Sequence, residues 1–570
     1  MLETNWHIKE IDLAKVAKII KEFNLPPSIA SIMSQRELLS RQDTSNFFHP
    51  NKDNLHSPFL LKDIEVAVKK IIELVHQKDK ILIYGDYDVD GVTSTSMLYS
   101  FFKSLDANVS YYIPHRDIDG YGLSQRGVDF AESIGAKLII TCDCGINAFD
   151  QIKYAKNKMI DTIVTDHHKP EDKIPDCIAV VNPHRKDCTY PFKGLCGAGV
   201  AFKLVLAITE QLSLDPELAW RYADLVTLGI AADVMPLINE NRVIAYFGLK
   251  QIRSGNNLGL KTLIQASKLV LEKVGIGQIN FWVSPKINAA GRLGEASRAV
   301  KLLTSENPYY ALEIANTLNK ENEKRKSITS IMENESIEII NNNNRFKSEK
   351  AIVLYKKDWH SGVIGIVASR LKELYNKPTI IIGVENGVGK GSCRSIPQLD
   401  MVETLNSCSD LLDGYGGHPM AAGFTIRESK LDKFIERFNL NCSSQLKDKD
   451  LVPNINIDLE ISMSDINTRM INFLKHMEPY GPRNPKPVFL SKKLYVEGIP
   501  KLLGRDQTTI KFNVREKDSI FESIGFKMLD EYEKLISQKP IDMIYNISEN
   551  HWNGKTSLQL EVKGIKYSDV

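Results

Sequence analysis

The sequence lacks any long apolar run: no stretch approaches the roughly 18 residues that a membrane-spanning helix needs. We therefore expect no contact with a membrane. The start, Met-Leu-Glu-Thr-Asn-Trp-His, lacks the basic and apolar regions of a signal peptide. Cysteine is scarce, with 8 in 570 residues, which is too few and too scattered for a disulfide framework. These absences predict a cytoplasmic protein with reduced thiols.

An excess of one charge is also missing, because 73 basic and 71 acidic residues leave a formal net charge of +2. Such a balance neither requires nor excludes nucleic acid, since a local basic channel can coexist with acidic patches elsewhere. The composition, 43% hydrophobic and 25% charged, is that of an ordinary globular protein. The length suggests three or four domains of about 150 residues each.

Three aspartates follow a strongly apolar run near the start of the first α/β pattern. Asp86, Asp88 and Asp90 lie in the segment 84–91, Tyr-Gly-Asp-Tyr-Asp-Val-Asp-Gly, directly after the residues Ile-Leu-Ile. The apolar run predicts a buried strand. Carboxylates at alternate positions that leave a strand through a glycine-containing turn can face one point in space.

Two further predicted strands end in residues that bind metals. The run 162–164 precedes Asp166-His167-His168, and the run 138–141 ends near Asp143. Because the carboxyl ends of parallel strands meet at one edge of a sheet, these side chains are expected to converge. Asp233 is a further candidate, since a lone acid at the end of an apolar helix would face the negative end of its dipole. Clustered carboxylates with imidazole suit Mn²⁺ or Mg²⁺ better than structural zinc.

This donor set predicts hydrolysis of a phosphate ester or anhydride. Two divalent ions about 3.5–4 Å apart activate a water and stabilise both oxygens of an in-line displacement. His167 is expected to ligate a metal, whereas for His168 ligation, water positioning and donation to a phosphate oxygen all remain open. Cys142 and Cys144 flank Asp143, but partner cysteines at zinc spacing are missing, so we interpret them as packing residues.

The alternation of predicted strands and helices divides the chain into five segments. Residues 1–55 are predicted to be a helical lead-in, and 56–306 an α/β domain with a parallel sheet and helices on both faces. Residues 307–344 form either a connecting helix with a loop or a surface helix of the first domain. A second α/β domain is expected at 345–448. The short strands of 449–570 predict a mostly antiparallel β domain, either a barrel of the oligonucleotide-binding kind or a sandwich.

Basic and glycine-rich segments are candidates for binding a phosphate substrate. Arg116 follows a predicted strand, and Arg292 ends Asn288-Ala-Ala-Gly-Arg292, a turn of small residues that permits close approach of a ligand. In the second α/β domain, Gly391-Ser392-Cys-Arg394 and Gly416-Gly417-His418 offer amides, a hydroxyl, a guanidinium and an imidazole. Taken alone, each glycine-rich stretch is usually just a turn.

These motifs resemble those of the DHH phosphoesterase superfamily, named for Asp166-His167-His168, and within it the RecJ family of single-strand-specific 5′→3′ DNA exonucleases. The resemblance covers nearly the whole chain. It rests on the segments 84–91, 115–124, 143–145, 165–168, 182–184, 196–199, 233, 288–292, 359–365, 391–394, 416–418 and 478–488. In one departure, Gly481-Pro-Arg-Asn484-Pro485 has Arg483 where the family motif has a second glycine.

The resemblance implies a DHH domain and a DHH-associated domain joined by a long helix, with a barrel of the oligonucleotide-binding kind beside them. It implies two Mn²⁺ or Mg²⁺ ions and release of 5′-mononucleotides from single-stranded DNA in recombination and repair. The metal ligands that it implies are Asp86, Asp88, Asp90, Asp143, His167, His168 and Asp233. The residues that it implies for binding phosphate and the DNA backbone are Arg116, Arg292, Asn288, Ser392, Arg394, Gly417 and His418.

Catalytic roles and partners also follow only from the resemblance. His168, Asp86 and Arg292 are the residues that it implies in catalysis. A single-strand-binding protein and a helicase are the partners that it implies for a monomeric enzyme. Specificity for single strands is a hypothesis: a cleft that admits one backbone would let bases stack on Tyr121, Trp359 or Tyr415.

Two other functions fit parts of the pattern. The first is another DHH enzyme, such as a pyrophosphatase or an oligonucleotide or cyclic-dinucleotide phosphodiesterase. Family pyrophosphatases have a ligating histidine where this chain has Tyr84, and they lack both the extra acid Asp86 and the C-terminal β domain. The second is a non-catalytic nucleic-acid scaffold that has lost metal ligands, but no candidate ligand is missing from this sequence.

Overall fold

The computed structural model describes residues 4–504, 506–552 and 555–568. The chain forms two compact units. We call residues 44–325 and 477–485 the central unit, and residues 1–43, 326–476 and 486–570 the terminal unit. Within the described ranges, no helix has the length and apolarity needed to cross a bilayer.

The central unit contains a five-stranded sheet in which every adjacent pair is parallel. Its strands, in spatial order, are Val109–Tyr112, Ile81–Tyr84, Leu138–Cys142, Asp161–Thr165 and Ala179–Val181. Ile81 and Ile83 pack into one buried cluster, whereas Leu82 and Tyr84 pack into another. Both faces of the sheet are therefore covered, which explains why its strands are continuous apolar runs. The predicted parallel sheet is confirmed.

Helices cover the sheet and build the rest of the central unit. Their bounds are Ile64–Gln77, Val89–Ser104, Gln125–Ser133, Phe149–Asn157, Gly197–Gln211, Glu217–Trp220, Ala223–Ala232, Asn239–Ser254, Leu258–Ala266, Ser284–Leu293 and Ser297–Leu303. The sequence predicts a single helix from Leu218 to Ala232, but the structure has two. Between them the carbonyl of Trp220 accepts a hydrogen bond from Gln251 Nε2 at 2.8 Å.

The terminal unit contains a second, mixed five-stranded sheet. Its strands, in spatial order, are Leu412–His418, Ala421–Arg427, Val388–Arg394, Thr379–Glu385 and Ile352–Lys357. The two glycine-rich stretches are thus strands and not the turns that such stretches usually form. Gly391 permits close packing, because a Cβ at this position would lie 2.3 Å from the Phe424 ring. The predicted second α/β domain is confirmed.

A closed five-stranded barrel occupies the C-terminal part of the terminal unit. Its strands, in spatial order, are Phe489–Leu503, Thr509–Glu516, Ser519–Gly525, Lys555–Tyr567 and Ile541–Trp552, and the last pairs again with the first. Phe489–Leu503 pairs with Ile541–Trp552 through residues 489–494 and with Thr509–Glu516 through residues 495–503. Of the two alternatives for this region, the barrel is confirmed, and the sandwich is wrong.

Residues 4–43 are not only helical. The strand Asn5–Ile8 pairs in parallel with Asn454–Ile457, next to Asp458, which accepts a hydrogen bond from Lys9 Nζ at 2.7 Å. The sequence missed this strand because its partner lies about 450 residues away. The other helices of the terminal unit are Leu13–Phe23, Pro27–Gln35, Arg345–Ser348, Ile364–Tyr375, Met401–Asn406, Leu431–Gln445, Thr468–His476 and Tyr532–Ile536.

A 35-residue helix, Pro308–Asn342, begins in the central unit and ends in the terminal unit. It confirms the connecting helix of the predicted fold. The helix Arg41–Phe48 spans another of the four points at which the chain changes from one unit to the other. The domain boundaries at residues 55, 306, 344 and 448 remain predictions.

Candidate metal and phosphate site

The first three aspartates lie where the strand Ile81–Tyr84 gives way to the helix Val89–Ser104. Asp86 is buried, and Gly91 lets the helix approach it, because a Cβ on Gly91 would lie 2.5 Å from the Asp86 nitrogen. Asp88 caps the helix and accepts a hydrogen bond from the Gly91 nitrogen at 3.0 Å. The first turn of a helix favours negative charge, so this placement stabilises the carboxylates.

Asp90 lies at the N-terminus of a second helix, Gly197–Gln211. Its carboxylate accepts hydrogen bonds from the Gly197 nitrogen at 2.6 Å and the Ala198 nitrogen at 3.0 Å. Gly197 also faces Asp143, whose Cβ would lie 2.4 Å from a Cβ at that position. A side chain larger than hydrogen at Gly197 would therefore displace a carboxylate of the site.

His167 has its Nε2 atom among three carboxylates. This nitrogen lies 3.1 Å from Asp143 Oδ1, 3.8 Å from Asp90 Oδ2 and 3.7 Å from Asp233 Oδ2. Asp143 follows the strand Leu138–Cys142 in a left-handed conformation with φ 63°, and Asp233 caps the C-terminus of the helix Ala223–Ala232. The strand ends therefore converge on one point, as the topology predicts.

The donor atoms fit hard divalent cations. Three groups have ligand atoms within 4.8 Å of one another: Asp86, Asp88 and Asp143; Asp90, His167 and Asp233; and Asp143, His167 and His168. The Oδ1 atoms of Asp86 and Asp143 are buried, and within the described part of the chain neither accepts a hydrogen bond. Buried carboxylate oxygens left free in this way suit a hard cation, which prefers oxygen ligands and accepts imidazole nitrogen.

The charges of the site oppose one another when no cation neutralises them. Burial and the charge of Asp88 raise the pKa of Asp86 well above its ordinary value, and burial and the charge of Asp90 do the same to the pKa of Asp143. Burial and the charges of Asp90 and Asp88 raise the pKa of Asp233 to about 8. Burial lowers the pKa of His167, which keeps it neutral and able to ligate.

His168 is held at both ring nitrogens. Its Nδ1 lies 2.7 Å from Asp166 Oδ1, and its Nε2 lies 3.1 Å from the hydroxyl of Tyr121. Asp166 is buried and also accepts a hydrogen bond from the Ile146 nitrogen at 3.0 Å. Burial would lower the pKa of His168, but the hydrogen bond and charge of Asp166 raise it to about 9. His168 is thus arranged to donate a proton or a hydrogen bond.

Two arginines lie beside Tyr87, which stands between Asp86 and Asp88 in the chain. The guanidinium carbon of Arg116 is 5.8 Å from the centre of the Tyr87 ring. The helix that carries Arg292 approaches Tyr87 through Gly291, where a Cβ would lie 2.5 Å from the Tyr87 carbonyl oxygen. The positive charges of Arg116 and Arg292 act on the Tyr87 hydroxyl, although burial raises its pKa to about 12. Both predicted phosphate contacts therefore lie near the aspartates.

A second set of predicted phosphate-binding residues lies on the terminal unit's sheet. Arg394 donates hydrogen bonds to the hydroxyls of Ser369 and Ser392 at 3.0 Å and 3.1 Å. Arg394 and His418 both pair with Ala421, so they lie two strands apart on the same face. Gly417, next to exposed His418, has φ 150°.

Three family models match successive parts of the chain. They are the DHH family N-terminal domain at residues 80–230, the DHHA1 domain at 348–444 and the RecJ OB domain at 457–564. The single-stranded-DNA-specific exonuclease RecJ of Bacillus subtilis is 36% identical over 566 residues, which are 99% of this chain and 71% of that relative. The chain belongs to the RecJ family. The RecJ of Haemophilus influenzae is 33% identical, with 97% of this chain and 100% of that relative covered.

Solved structures of RecJ proteins agree with this membership. The crystal structure of RecJ in complex with Mn²⁺ from Thermus thermophilus superposes with a TM-score of 0.84 at 29% identity, covering 99% of this chain and 80% of that one. A structure of exonuclease RecJ bound to manganese covers 68% of this chain and 96% of its own, with a TM-score of 0.59 and 34% identity.

The structure gives two residues of the RecJ-family site roles that the sequence did not assign to them. Asp166 orients His168 rather than joining the three carboxylates around His167, and Gly197 supplies both an amide and space. No local signal marks either role, because each depends on a partner from another element. Trp359 is a poor candidate for stacking bases, since it is 6% exposed and donates a hydrogen bond to Glu335.

Proposed function

We propose that this chain is a single-stranded-DNA-specific exonuclease that hydrolyses phosphodiester bonds from the 5′ end and releases 5′-mononucleotides. The observation that carries the proposal is the convergence of carboxylates from strand ends and helix termini on the Nε2 atom of His167, in a member of the RecJ family. The 5′→3′ direction and the role in recombination and repair rest on that membership.

We propose that Asp86, Asp88, Asp90, Asp143, His167 and Asp233 hold two divalent cations, Mn²⁺ or Mg²⁺. When bound, the cations supply an activated water and charge neutralisation at the phosphate. The protein contributes fixed ligand positions, because backbone amides at two helix N-termini hold Asp88 and Asp90. The RecJ of Thermus thermophilus has crystal structures in complex with Mn²⁺ and with Mg²⁺, which supports this choice of cations.

Arg116, Arg292 and Asn288 are proposed to hold the scissile and neighbouring phosphates. Both guanidinium groups lie near Tyr87, which is the residue between Asp86 and Asp88 in the chain. Both positive charges are therefore close to these two aspartates. A planar guanidinium binds two phosphate oxygens at once, which fixes orientation as well as charge.

His168 is proposed to donate a hydrogen bond from Nε2 to a phosphate oxygen. Asp166 holds Nδ1, which directs Nε2 towards the hydroxyl of Tyr121 in the free protein. A substrate oxygen would take the place of that hydroxyl. In this role His168 contributes to catalysis without giving up its bond to Asp166, although ligation through Nε2 remains the alternative.

Ser392, Arg394, Gly417 and His418 are proposed to bind the DNA backbone near its 5′ end. The hydroxyl, the guanidinium and the exposed imidazole lie on one sheet within the terminal unit. A single-strand-binding protein and a helicase as partners, a monomeric state and a cytoplasmic location are further parts of this proposal, each resting on family membership or on the sequence.

The test is digestion of a 5′-labelled single-stranded oligonucleotide with Mn²⁺. We expect release of labelled mononucleotide, much slower attack on a blunt duplex, and no product with an Asp143→Asn variant. Hydrolysis of pyrophosphate or dinucleotides alone would instead support another DHH phosphoesterase. Binding without hydrolysis would support a scaffold.

A further inference from the structure

The helical segment that carries Arg292 has a single solvent-facing stripe. Between residues 281 and 292 the side chains with solvent access are Phe281, Trp282, Pro285, Asn288 and Arg292, and all others are buried. Phe281, Asn288 and Arg292 are separated by seven and four residues, which places them on one face. At a rise of about 1.5 Å per residue, the stripe is about 16 Å long.

The N-terminal end of this stripe, at residues 281 and 282, exposes two large aromatic side chains side by side. Phe281 is 77% exposed and Trp282 is 53% exposed. They lie in a π-helical turn, Ile279–Val283, whose first and last residues are fully buried. The exposure therefore belongs to a firmly packed turn, and π-turns occur frequently at functional sites. Adjacent uncovered aromatics on a protein surface indicate a binding partner.

The C-terminal end of the stripe contains Asn288 and Arg292, which are predicted to bind phosphate. Gly291 packs against Tyr87, and Asn288 and Arg292 flank it on the exposed face. One continuous stripe thus joins groups suited to a phosphate with groups suited to a flat apolar ring. A strand of nucleic acid presents both at regular intervals, whereas an apolar patch of a protein would not account for the polar end.

We propose that Phe281 and Trp282 form a stacking platform for unpaired bases of the same DNA strand whose phosphate is held by Arg292. The proposal rests on the proposed function and adds a base-binding subsite to it. A stacked strand advances about 3.4 Å per nucleotide, and an extended strand more, so the stripe spans at most about five nucleotides. Stacking on aromatics tolerates every base, which suits an enzyme that degrades any sequence.

The platform predicts a dependence on substrate length. Because each lost base stack weakens binding by about 5- to 150-fold, Phe281→Ala/Trp282→Ala should raise the KM for a thymidine dodecamer at least 10-fold. The kcat/KM for a thymidine dinucleotide, which is too short to reach the platform, should stay within about twofold. The single variant Trp282→Phe should keep the wild-type KM for the dodecamer, since phenylalanine also stacks on bases. Tyr309→Ala is the matched control, because Tyr309 is 86% exposed and lies outside the stripe.

A second readout is independent of hydrolysis. The dodecamer should quench tryptophan fluorescence in the wild type in EDTA, and the quenching should fall by at least half in Trp282→Phe. If the wild type does not degrade the dodecamer, the proposed function fails, but the quenching still tests the platform. The inference is overturned if the double variant keeps the wild-type KM for the dodecamer, if it loses dinucleotide hydrolysis in parallel, or if quenching is unchanged in Trp282→Phe.

Discussion

Replacing Asp143 with asparagine should stabilise the metal-free protein while abolishing its activity. Asp143 belongs to two of the three convergent groups, in which ligand atoms lie within 4.8 Å of one another. Two full charges at 4.8 Å repel by roughly 3–4 kcal/mol at an effective dielectric constant of about 20. Protonation relieves part of this repulsion, so we expect the free energy of unfolding to rise by about 1–3 kcal/mol in EDTA.

The stability gained by the Asp143→Asn variant over the wild type should increase as the pH rises. Burial and neighbouring charges raise the pKa of Asp143 above its ordinary value of 3.8, so the folded metal-free protein binds this proton more tightly than the unfolded chain does. The stability of the wild type therefore falls as pH rises from about 4 through the raised pKa. The Asp143→Asn variant should lose less stability over that range, by up to about 1.4 kcal/mol per pH unit.

Thermal and urea unfolding in EDTA between about pH 5 and pH 8 measure this effect. A gain of about 1 kcal/mol corresponds to a rise of about 2–4 °C in Tm for a unit of this size. Added Mn²⁺ should stabilise the wild type more than the variant, because binding to the folded state alone raises stability and the variant lacks one ligand. Asp172→Asn is the control, since that side chain is 97% exposed. An Asp143→Asn protein that is less stable than the wild type in EDTA at the alkaline end, or that keeps the wild-type pH slope, would refute the repulsion argument.

Three further predictions concern residues around the sites. Asp166→Asn should lower kcat about 10- to 100-fold and shift the alkaline limb of the pH–rate profile to lower pH. The reason is that His168 loses the partner that raises its pKa to about 9, and an unchanged profile would contradict this role of Asp166. Gly365→Ala should raise the KM for 5′-phosphorylated substrate several-fold, because its Cβ would lie 2.9 Å from the hydroxyl of Ser392, which neighbours Arg394, the arginine proposed to bind phosphate; equal KM values would argue against it. Lys203→Met should cost about 3–5 kcal/mol in urea unfolding, since it leaves fully buried Glu240 without its cation, and Lys203→Met/Glu240→Leu should recover most of that loss.

The parallel sheet and the position of its site could be predicted because they depend on local signals. Three of its strands, Ile81–Tyr84, Leu138–Cys142 and Asp161–Thr165, are four or five residues long and contain consecutive apolar residues, and an aspartate follows each within two residues. Parallel topology then brings the strand ends together without further information. The 3.1 Å approach of Asp143 to His167 follows this rule, whereas Asp90 and Asp233 reach His167 from helix ends, at 3.8 Å and 3.7 Å.

What could not be predicted depends on partners distant in sequence. The strands Val388–Arg394 and Leu412–His418 are rich in glycine, which disfavours strands, and both pair with the strand Ala421–Arg427 between them. The strand Asn5–Ile8 exists only because Asn454–Ile457 pairs with it. The orientation of His168 requires contacts from Asp166 and from a tyrosine of another loop.

The arrangement of amides divides the carboxylates into two kinds. Asp88 and Asp90 accept hydrogen bonds from the first turns of two helices, where the helix dipole favours negative charge. Asp86 and Asp143 keep buried oxygens that accept no hydrogen bond within the described residues. The amides therefore hold the carboxylates of Asp88 and Asp90 in place, whereas the unbonded oxygens of Asp86 and Asp143 are left for a cation or a proton. Because burial and neighbouring charges raise the pKa of Asp143, as they do for Asp86 and Asp233, protons compete with metal at this carboxylate. Lowering the pH should therefore weaken Mn²⁺ binding to the wild type more than to the Asp143→Asn variant.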